Sequence, residues 1–203
     1  MSVSIAEKLQ MQIIYLFMNA DGICNESETA RFDIICKEMK ATKEDIDDIL
    51  NQAKKIKFAD NSDNSELVIR EIGILLGKTK EVGEYEWDID YTKSVYAHLL
   101  NKNKVRQAHT VWTLINLGYA DSVLAPSERK VIDYLVSVWE MNELLSSTLF
   151  DIAETILALQ MKKEWVLSTN KSDDEKDKMC TDIDEEMKKM YDDVELTISE
   201  ANI

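Results

Sequence analysis

The chain carries one nine-residue segment twice, as ADGICNESE at 20–28 and as ADSVLAPSE at 120–128. The two copies share Ala-Asp at the start and Ser-Glu at the end, and they lie one hundred residues apart. Each copy follows an apolar run and precedes another. Because self-similarity at a fixed distance indicates duplication, the sequence predicts two related helical halves, at about 4–80 and 91–166, joined by a connector at 81–90.

The composition predicts an all-α fold. The 203 residues are 45% apolar, which is enough to bury a substantial core. One proline and five glycines are few for a chain that would need many hairpin turns. Apolar residues instead recur at helical spacing, and this periodicity predicts helices over about 4–19, 25–40, 42–56, 65–79, 91–101, 104–118, 126–139 and 144–166.

Local signals place the ends of several helices. Asn25 with Glu28, and Thr42 with Asp45, have the spacing of reciprocal N-terminal caps. Pro126 stands where the first helical residue tolerates proline, and Glu128 then corresponds to Glu28. The polar run at 60–64 is a predicted loop. Three tryptophans fall on apolar helical faces and are predicted to lie in the core, namely Trp112, Trp139 and Trp165.

The last segment, 167–203, differs from the rest of the chain in charge. It contains twelve acids and five bases, for a net charge of −7. Ser172 with Glu175 predicts a cap, and methionines and branched residues from Met179 to Ile198 recur at spacings of four and three. We therefore predict an acidic amphipathic helix on a short tether at 168–172. Its apolar side either packs on the same chain or binds a partner, and a homodimer through 173–200 is one such pairing.

The strongly negative overall charge disfavours some classes of binding partner. The formal net charge is −15 and the calculated pI is about 4.6, so phosphate backbones and anionic bilayers are repelled. We expect neither nucleic-acid binding nor direct membrane insertion. The three cysteines, Cys24, Cys36 and Cys180, form no CxxC pair and no even-numbered framework, which favours a reducing, cytoplasmic location.

The repeated segment also concentrates carboxylates. Asp21, Glu28, Asp121 and Glu128 occupy matching places, and hard cations such as Ca²⁺ or Mg²⁺ bind clusters of oxygen ligands. Two halves packed about a pseudo-twofold axis would bring these four side chains together. The alternative is that the glutamates cap helices and the aspartates bond turn amides, with no metal bound. An EF-hand is excluded because its third position, here Ile23, requires an oxygen ligand.

An apolar helix followed by Ala-Asp-Gly, a polar gap and a helix-opening Glu resembles the TerB-like domain of bacterial tellurite-resistance and stress proteins. The resemblance covers about 5–56 and 104–166. It implies a helical bundle with an internal repeat over 1–166, to which this chain adds the acidic helix of 167–203. It also implies an acidic patch proposed to bind metal, formed here by Asp21, Glu28, Asp121 and Glu128. Because Ser122 replaces the glycine, we expect the second turn to differ in conformation.

Catalytic motifs are weak. His98 and His109 are the histidines, and neither lies in a Glu-x-x-His or His-Glu-x-x-His motif. The Gly77-Lys78-Thr79 tail of a phosphate loop lacks its first glycine. Cys24 has no basic neighbour in sequence that would lower its pKa. We therefore expect a protein that is not an enzyme.

Three functional hypotheses follow from the sequence. The first is a non-enzymatic TerB-like module that binds a divalent cation, a protein partner or both in a bacterial stress or metal-resistance complex. The second is a metal-free adaptor that acts through the C-terminal helix. The third, ranked last, is a Mg²⁺-dependent hydrolase of phosphoesters or nucleotides that uses the same four acids.

Overall fold

The computed structural model describes residues 3–53, 55–77 and 100–200. Within these ranges the regular elements are helices and no strand occurs, which confirms the predicted all-α fold. The predicted connector at 81–90, and all but the last residues of the predicted helix at 91–101, lie outside the described residues. The helices are α1 (Ile5–Phe17), α2 (Glu26–Glu38), α3 (Lys43–Ala53), α4 (Ser65–Leu75), α5 (Lys104–Gly118), α6 (Pro126–Val138), α7 (Glu143–Ser168) and α8 (Asp173–Glu200).

The repeat in the sequence extends to the bounds of the helices. α2 and α6 begin and end one hundred residues apart, and so do the first residues of α3 and α7. The residues that follow α2 and α6 also match, since Lys40 and Glu140 both have positive φ, at 58° and 49°. This agreement supports the inference that two related halves arose from one helical unit.

Contacts divide the chain into two units, 1–140 and 141–203. The division falls before α7, whereas the sequence suggested a boundary at 166/167. In the first unit α1 packs against α2, α3, α4 and α5. Its apolar residues are accordingly among the most buried in the chain, with at most 1% exposure at Met11, Ile13, Ile14, Phe17 and Met18.

The second unit is a helical hairpin made by α7 and α8. Leu159 and Val166 of α7 form an apolar cluster with Ile183 of α8, and Lys163 binds Asp184 at 2.6 Å. The apolar side of α8 therefore packs within the same chain, which confirms one of the two predicted interpretations. Partly buried residues that complete the cluster are Met179, Cys180, Met187 and Met190.

The tryptophans do not all lie in the core. Trp112 and Trp139 are 8% and 2% exposed, as predicted, and the indole Nε1 of Trp139 donates to Asn101 Oδ1 at 3.1 Å. The prediction for Trp165 was wrong, because its side chain is 59% exposed. α7 meets α8 through Leu159 and Val166, and Trp165 lies on another side of the helix.

α7 has a further property of composition. Among the described helices it alone is long and apolar enough to cross a membrane, with a mean hydropathy of 1.3 over its best window. A single helix of this kind is weak evidence for a membrane span, because length and composition alone do not separate it from a core helix.

Candidate functional site

The two repeated turns have the same backbone conformation. Gly22 and Ser122 both have φ of 74°, in the left-handed region. In each turn the preceding aspartate accepts a hydrogen bond two residues on, from Ile23 N to Asp21 Oδ1 at 2.8 Å and from Val123 N to Asp121 Oδ1 at 3.2 Å. The expectation that the second turn would differ in conformation was therefore wrong. The aspartate bond holds the turn, and Ser122 adopts the glycine-like conformation in it.

The two glutamates cap the helices that follow these turns. Glu28 Oε2 accepts from Asn25 N at 3.0 Å, and Glu28 N donates to Asn25 Oδ1 at 2.8 Å, so the predicted reciprocal cap is present. Glu128 Oε2 accepts from Ala125 N at 2.8 Å, but alanine offers no side-chain acceptor in return. Each glutamate is thus fixed at the third position of its helix, with its carboxylate directed back toward its own turn.

Packing between the halves brings the two turns together. The amide Nδ2 of Asn25 donates to Asp121 Oδ2 at 3.4 Å, across ninety-six residues of sequence. Nearby, Arg31 of α2 donates from Nη1 to the Asn116 carbonyl oxygen of α5 at 2.8 Å. The sequence did not single out Asn25 as part of a site. Its role as a cap was visible, but its contact with Asp121 depends on tertiary packing.

A glycine permits the approach of Glu128. A Cβ atom added to Gly118, at the end of α5, would lie 3.4 Å from Glu128 Oε2 and 3.4 Å from Phe17 Cζ, and it would overlap Leu124 Cδ1. The absence of a side chain here lets the Glu128 carboxylate lie against α5 near α1. Glu128 is accordingly only 3% exposed. Glu28, in the other half, is 4% exposed.

Burial and neighbouring charge alter the acidity of both glutamates. Burial raises the pKa of Glu28 to about 7, the Asn25 amide opposes the rise, and the charges of Asp21 and Asp121 add to it. Burial raises the pKa of Glu128 to about 8, with further contributions from Glu28 and both aspartates. The four predicted residues therefore influence one another across the two halves, and we call them the carboxylate cluster.

The carboxylate cluster is not a finished set of metal ligands. In the ranges that the structure describes, no group of three or more His, Cys, Asp or Glu side chains is arranged to hold a metal ion. Asp21 is half-buried and Asp121 is exposed, so the cluster has two surface carboxylates above two buried ones. Such an arrangement can exchange protons near neutral pH and can attract a cation from solvent.

Cys24 lies beside the cluster. Burial raises the pKa of its thiol, and the charges of Glu28 and Asp21 raise it further. The Sγ atom is 3.6 Å from Thr29 Oγ1. Since the thiolate is the reactive form, this environment opposes a nucleophilic role for Cys24.

The two turns differ in what covers them. The segment 59–64 bonds the first turn, through Asn61 N to the Gly22 carbonyl at 2.9 Å and Asn64 N to the Ala20 carbonyl at 2.7 Å. The Asn64 side chain adds a bond from Nδ2 to the Asn19 carbonyl at 3.1 Å. No described segment bonds the second turn in this way.

No known protein family, curated protein or solved structure matches the chain.

Proposed function

We propose that the protein is a non-enzymatic, TerB-like binding module that takes up a divalent cation at the carboxylate cluster. The observation that carries the proposal is the meeting of two turns one hundred residues apart, with the Asn25 side chain bonded to Asp121. The charges of Asp21 and Asp121 act on both glutamates, and a cation bound among the four carboxylates would reduce this repulsion. The occupants that suit oxygen ligands are Ca²⁺ and Mg²⁺.

The arrangement favours a hydrated cation. Asp21 Oδ1 and Asp121 Oδ1 accept from turn amides, and Asp121 Oδ2 also accepts from Asn25, which leaves Asp21 Oδ2 and the remaining lone pair of Asp121 Oδ2 for a cation. Since Mg²⁺ keeps several waters and needs only one or two carboxylates, a partial set of ligands is compatible with its binding. Glu28 and Glu128 then supply negative charge beneath the ion. In this proposal the cation joins the two halves, and the joined surface is what a protein partner in a cytoplasmic stress or metal-resistance complex binds.

Calorimetric titration of the full chain with Ca²⁺ and with Mg²⁺ tests the proposal. We expect saturable binding to the native chain and its loss in the double variant Asp21→Asn with Asp121→Asn, because asparagine keeps the Oδ1 acceptor but removes the charge. The matched control is Asp33→Asn with Asp133→Asn, which removes two charges that are also one hundred residues apart and exposed. Absence of saturable heat for both cations in the native chain would refute the proposal.

Proton release gives a second signature. At pH 7 the pKa values of about 7 and about 8 leave Glu28 about half protonated and Glu128 mostly protonated. A bound cation favours the ionised form, so we expect roughly one proton to be released per ion at pH 7. Titrations in buffers with different ionisation enthalpies measure this number. Binding without proton release would place the cation away from the two glutamates.

A metal-free adaptor is the second candidate, and the outer surface of α8 favours it. α8 holds twelve acids and four lysines, and its apolar side is covered by α7. Its accessible surface is therefore suited to a basic partner. Chemical cross-linking of the native chain, compared with a variant carrying Asp192→Asn, Asp193→Asn and Glu195→Gln, tests it. Partners captured equally by both chains would exclude this surface.

A further inference from the structure

The contact between α7 and α8 is rich in sulfur. Three of the nine methionines in the chain, Met179, Met187 and Met190, lie within twelve residues of α8. All three pack against the buried apolar cluster that the two helices share, and we call them the methionine seam. Each is only partly buried. The methionine seam therefore takes part in packing and is also within reach of a small molecule from solvent.

Other methionines of the chain combine these properties differently. Met11 and Met18 are 0% and 1% exposed, so solvent does not reach them in the folded chain. Met161 is 57% exposed, on another side of α7 from the residues that pack with α8. A chemical change at Met161 alters a surface that already faces water. A change in the methionine seam alters the contact that holds two helices together.

The methionine seam occupies the middle of this contact. Along α8, Met187 and Met190 lie between Ile183 and Val194, which are 2% and 0% exposed. These four residues are separated by four, three and four positions, so they share one side of the helix. A polar group introduced at Met187 or Met190 would therefore lie between buried aliphatic side chains, which offer it no hydrogen bond.

The hairpin depends on its apolar contact because both helices carry net negative charge. α7 has four acids and two lysines, and α8 has twelve acids and four lysines, so the two helices repel each other. Lys163 binds Asp184 across the hairpin at 2.6 Å, but both side chains are partly exposed, and exposed ion pairs contribute little. Apolar packing must therefore oppose the repulsion.

We propose that the methionine seam is a redox switch, in which hydrogen peroxide oxidises its thioethers to sulfoxides and the hairpin opens. In each reaction the sulfur gives an electron pair to one peroxide oxygen, and the O–O bond breaks as the S–O bond forms. The departing hydroxide takes the proton of the transferred oxygen and leaves as water. Sulfoxides are polar and disrupt packed apolar contacts, and methionine sulfoxide reductases reverse the reaction.

Packing alone does not require methionine at these positions. Leucine has a similar volume and a similar helix propensity, so it would fill the same contact without a group that peroxide oxidises. The same comparison supplies a variant that keeps the hairpin and removes the switch.

Hydrogen exchange of the full chain, measured before and after treatment with hydrogen peroxide, is the primary test. The chain carries Cys24→Ser and Cys180→Ala, so that the two accessible thiols do not react, whereas Cys36 is buried. Mass spectrometry of peptides counts the oxygen atoms added to each methionine. We expect the amides of α8 to exchange at least about tenfold faster once the seam is oxidised, and those of α1 to keep their rates. Treatment with methionine sulfoxide reductases should restore slow exchange in α8.

Leucine variants assign the response to the seam. Met179→Leu with Met187→Leu and Met190→Leu should abolish it, and circular dichroism checks that the helices are kept. Met187→Leu alone, a smaller change, should weaken it. The matched control is Met161→Leu, which removes a more exposed methionine and should leave the response unchanged.

Four results would each overturn the proposal. The seam could be oxidised without faster exchange in α8, or the triple leucine variant could respond as strongly as the chain that keeps the three methionines. The seam could also stay unoxidised at a peroxide dose that oxidises Met161 completely. Faster exchange that the reductases do not reverse would identify oxidative damage instead of a switch.

Discussion

The turn at 20–25 and the turn at 120–125 share a backbone but differ in surroundings. Gly22 and Ser122 have the same φ of 74°, and an aspartate holds each turn in the same way. The first turn is enclosed by the segment 59–64, whose backbone comes within 2.5 to 2.8 Å of where a Cβ of Gly22 would lie. Glycine is therefore required at position 22 by the packing of the segment 59–64 more than by the conformation of the turn itself.

The helices after the two turns differ for a related reason. α4 packs against α6, and Lys130 of α6 is bound to Asp63, just before α4, at 2.7 Å. Val131 is fully buried on α6, whereas the matching position of α2 holds Arg31, which is half-buried and bonded to a backbone carbonyl. Duplicated helices thus kept their bounds and turns, while their surfaces changed to suit unequal neighbours.

Gly22→Ser, which gives the first turn the residue of the second, has the largest expected effect. The new side chain would overlap the Ala59 carbonyl and the Ser62 backbone, so the segment 59–64 must move and its bonds to the turn are lost. We expect the free energy of unfolding to fall by about 3 kcal/mol or more, as measured by urea denaturation.

The reverse substitution is its control. Ser122→Gly removes the strain of a non-glycine residue in the left-handed region, but it also raises the conformational entropy of the unfolded chain. Because these effects are opposed, the free energy of unfolding should change by no more than about 1 kcal/mol. Equal losses from Gly22→Ser and Ser122→Gly would show that the turn's conformation, not its cover, determines the requirement for glycine.

The same contrast separates what the sequence can predict from what it cannot. Helical periodicity and caps such as Asn25 with Glu28 are local, so most helices were predicted to within a few residues. The enclosure of Gly22 by 59–64 is a long-range contact, and neither segment carries a sequence signal that predicts contact with the other. The exposure of Trp165 was missed for a similar reason. An apolar residue on a helix is buried only if another element packs on that side of the helix, and the sequence does not show which side that is.

For the site, the sequence identified the four acids but not their state. Matching spacing in two halves led to the expectation that Asp21 and Asp121 would approach each other, and the Asn25 bond to Asp121 is the contact that places the turns together. The strong burial of Glu28 and Glu128 was not visible, because glutamate at a helix N-terminus is usually exposed. Gly118 was the signal that could have suggested it for Glu128, since a glycine inside an apolar helix often marks close approach.

The carboxylate cluster predicts that stability falls as pH rises through neutrality. Glutamate in an unfolded chain loses its proton near its ordinary pKa of 4.5, but in the folded chain near 7 for Glu28 and near 8 for Glu128. Between about pH 4.5 and pH 8 the folded state therefore holds extra protons, and their stabilising contribution is lost across that window. We expect the free energy of unfolding to decrease steadily between pH 5 and pH 8.

Urea denaturation at several pH values measures how stability changes with pH, and two variants test whether Glu28 and Glu128 cause the change. Glu28→Gln and Glu128→Gln keep an acceptor for the capping amide but do not ionise, so each should flatten the curve, with Glu128→Gln acting at the higher pH. Asp45 provides the contrast, because Lys8 and Thr42 lower its pKa and its contribution is lost only as pH falls below the normal aspartate range. An unchanged slope in both Gln variants would contradict the assignment.

The two caps give the smallest expected effect. Ala125 has φ of −66° and ψ of 148°, the extended conformation of a capping residue, but it lacks an acceptor for Glu128 N. Ala125→Asn should complete the reciprocal cap and stabilise the chain by about 0.5–1 kcal/mol, measured as a shift in the urea midpoint.

Asn25→Ala is the opposite change and should cost more than Ala125→Asn gains. Asn25 satisfies Glu28 N and also bonds Asp121, so its removal loses the cap, worth about 1 kcal/mol, and the contact between the turns. If the two substitutions were equal and opposite, Asn25 would be acting as a cap alone. An excess loss in Asn25→Ala that disappears in the background of Asp121→Ala would instead assign the difference to the bond between the two halves.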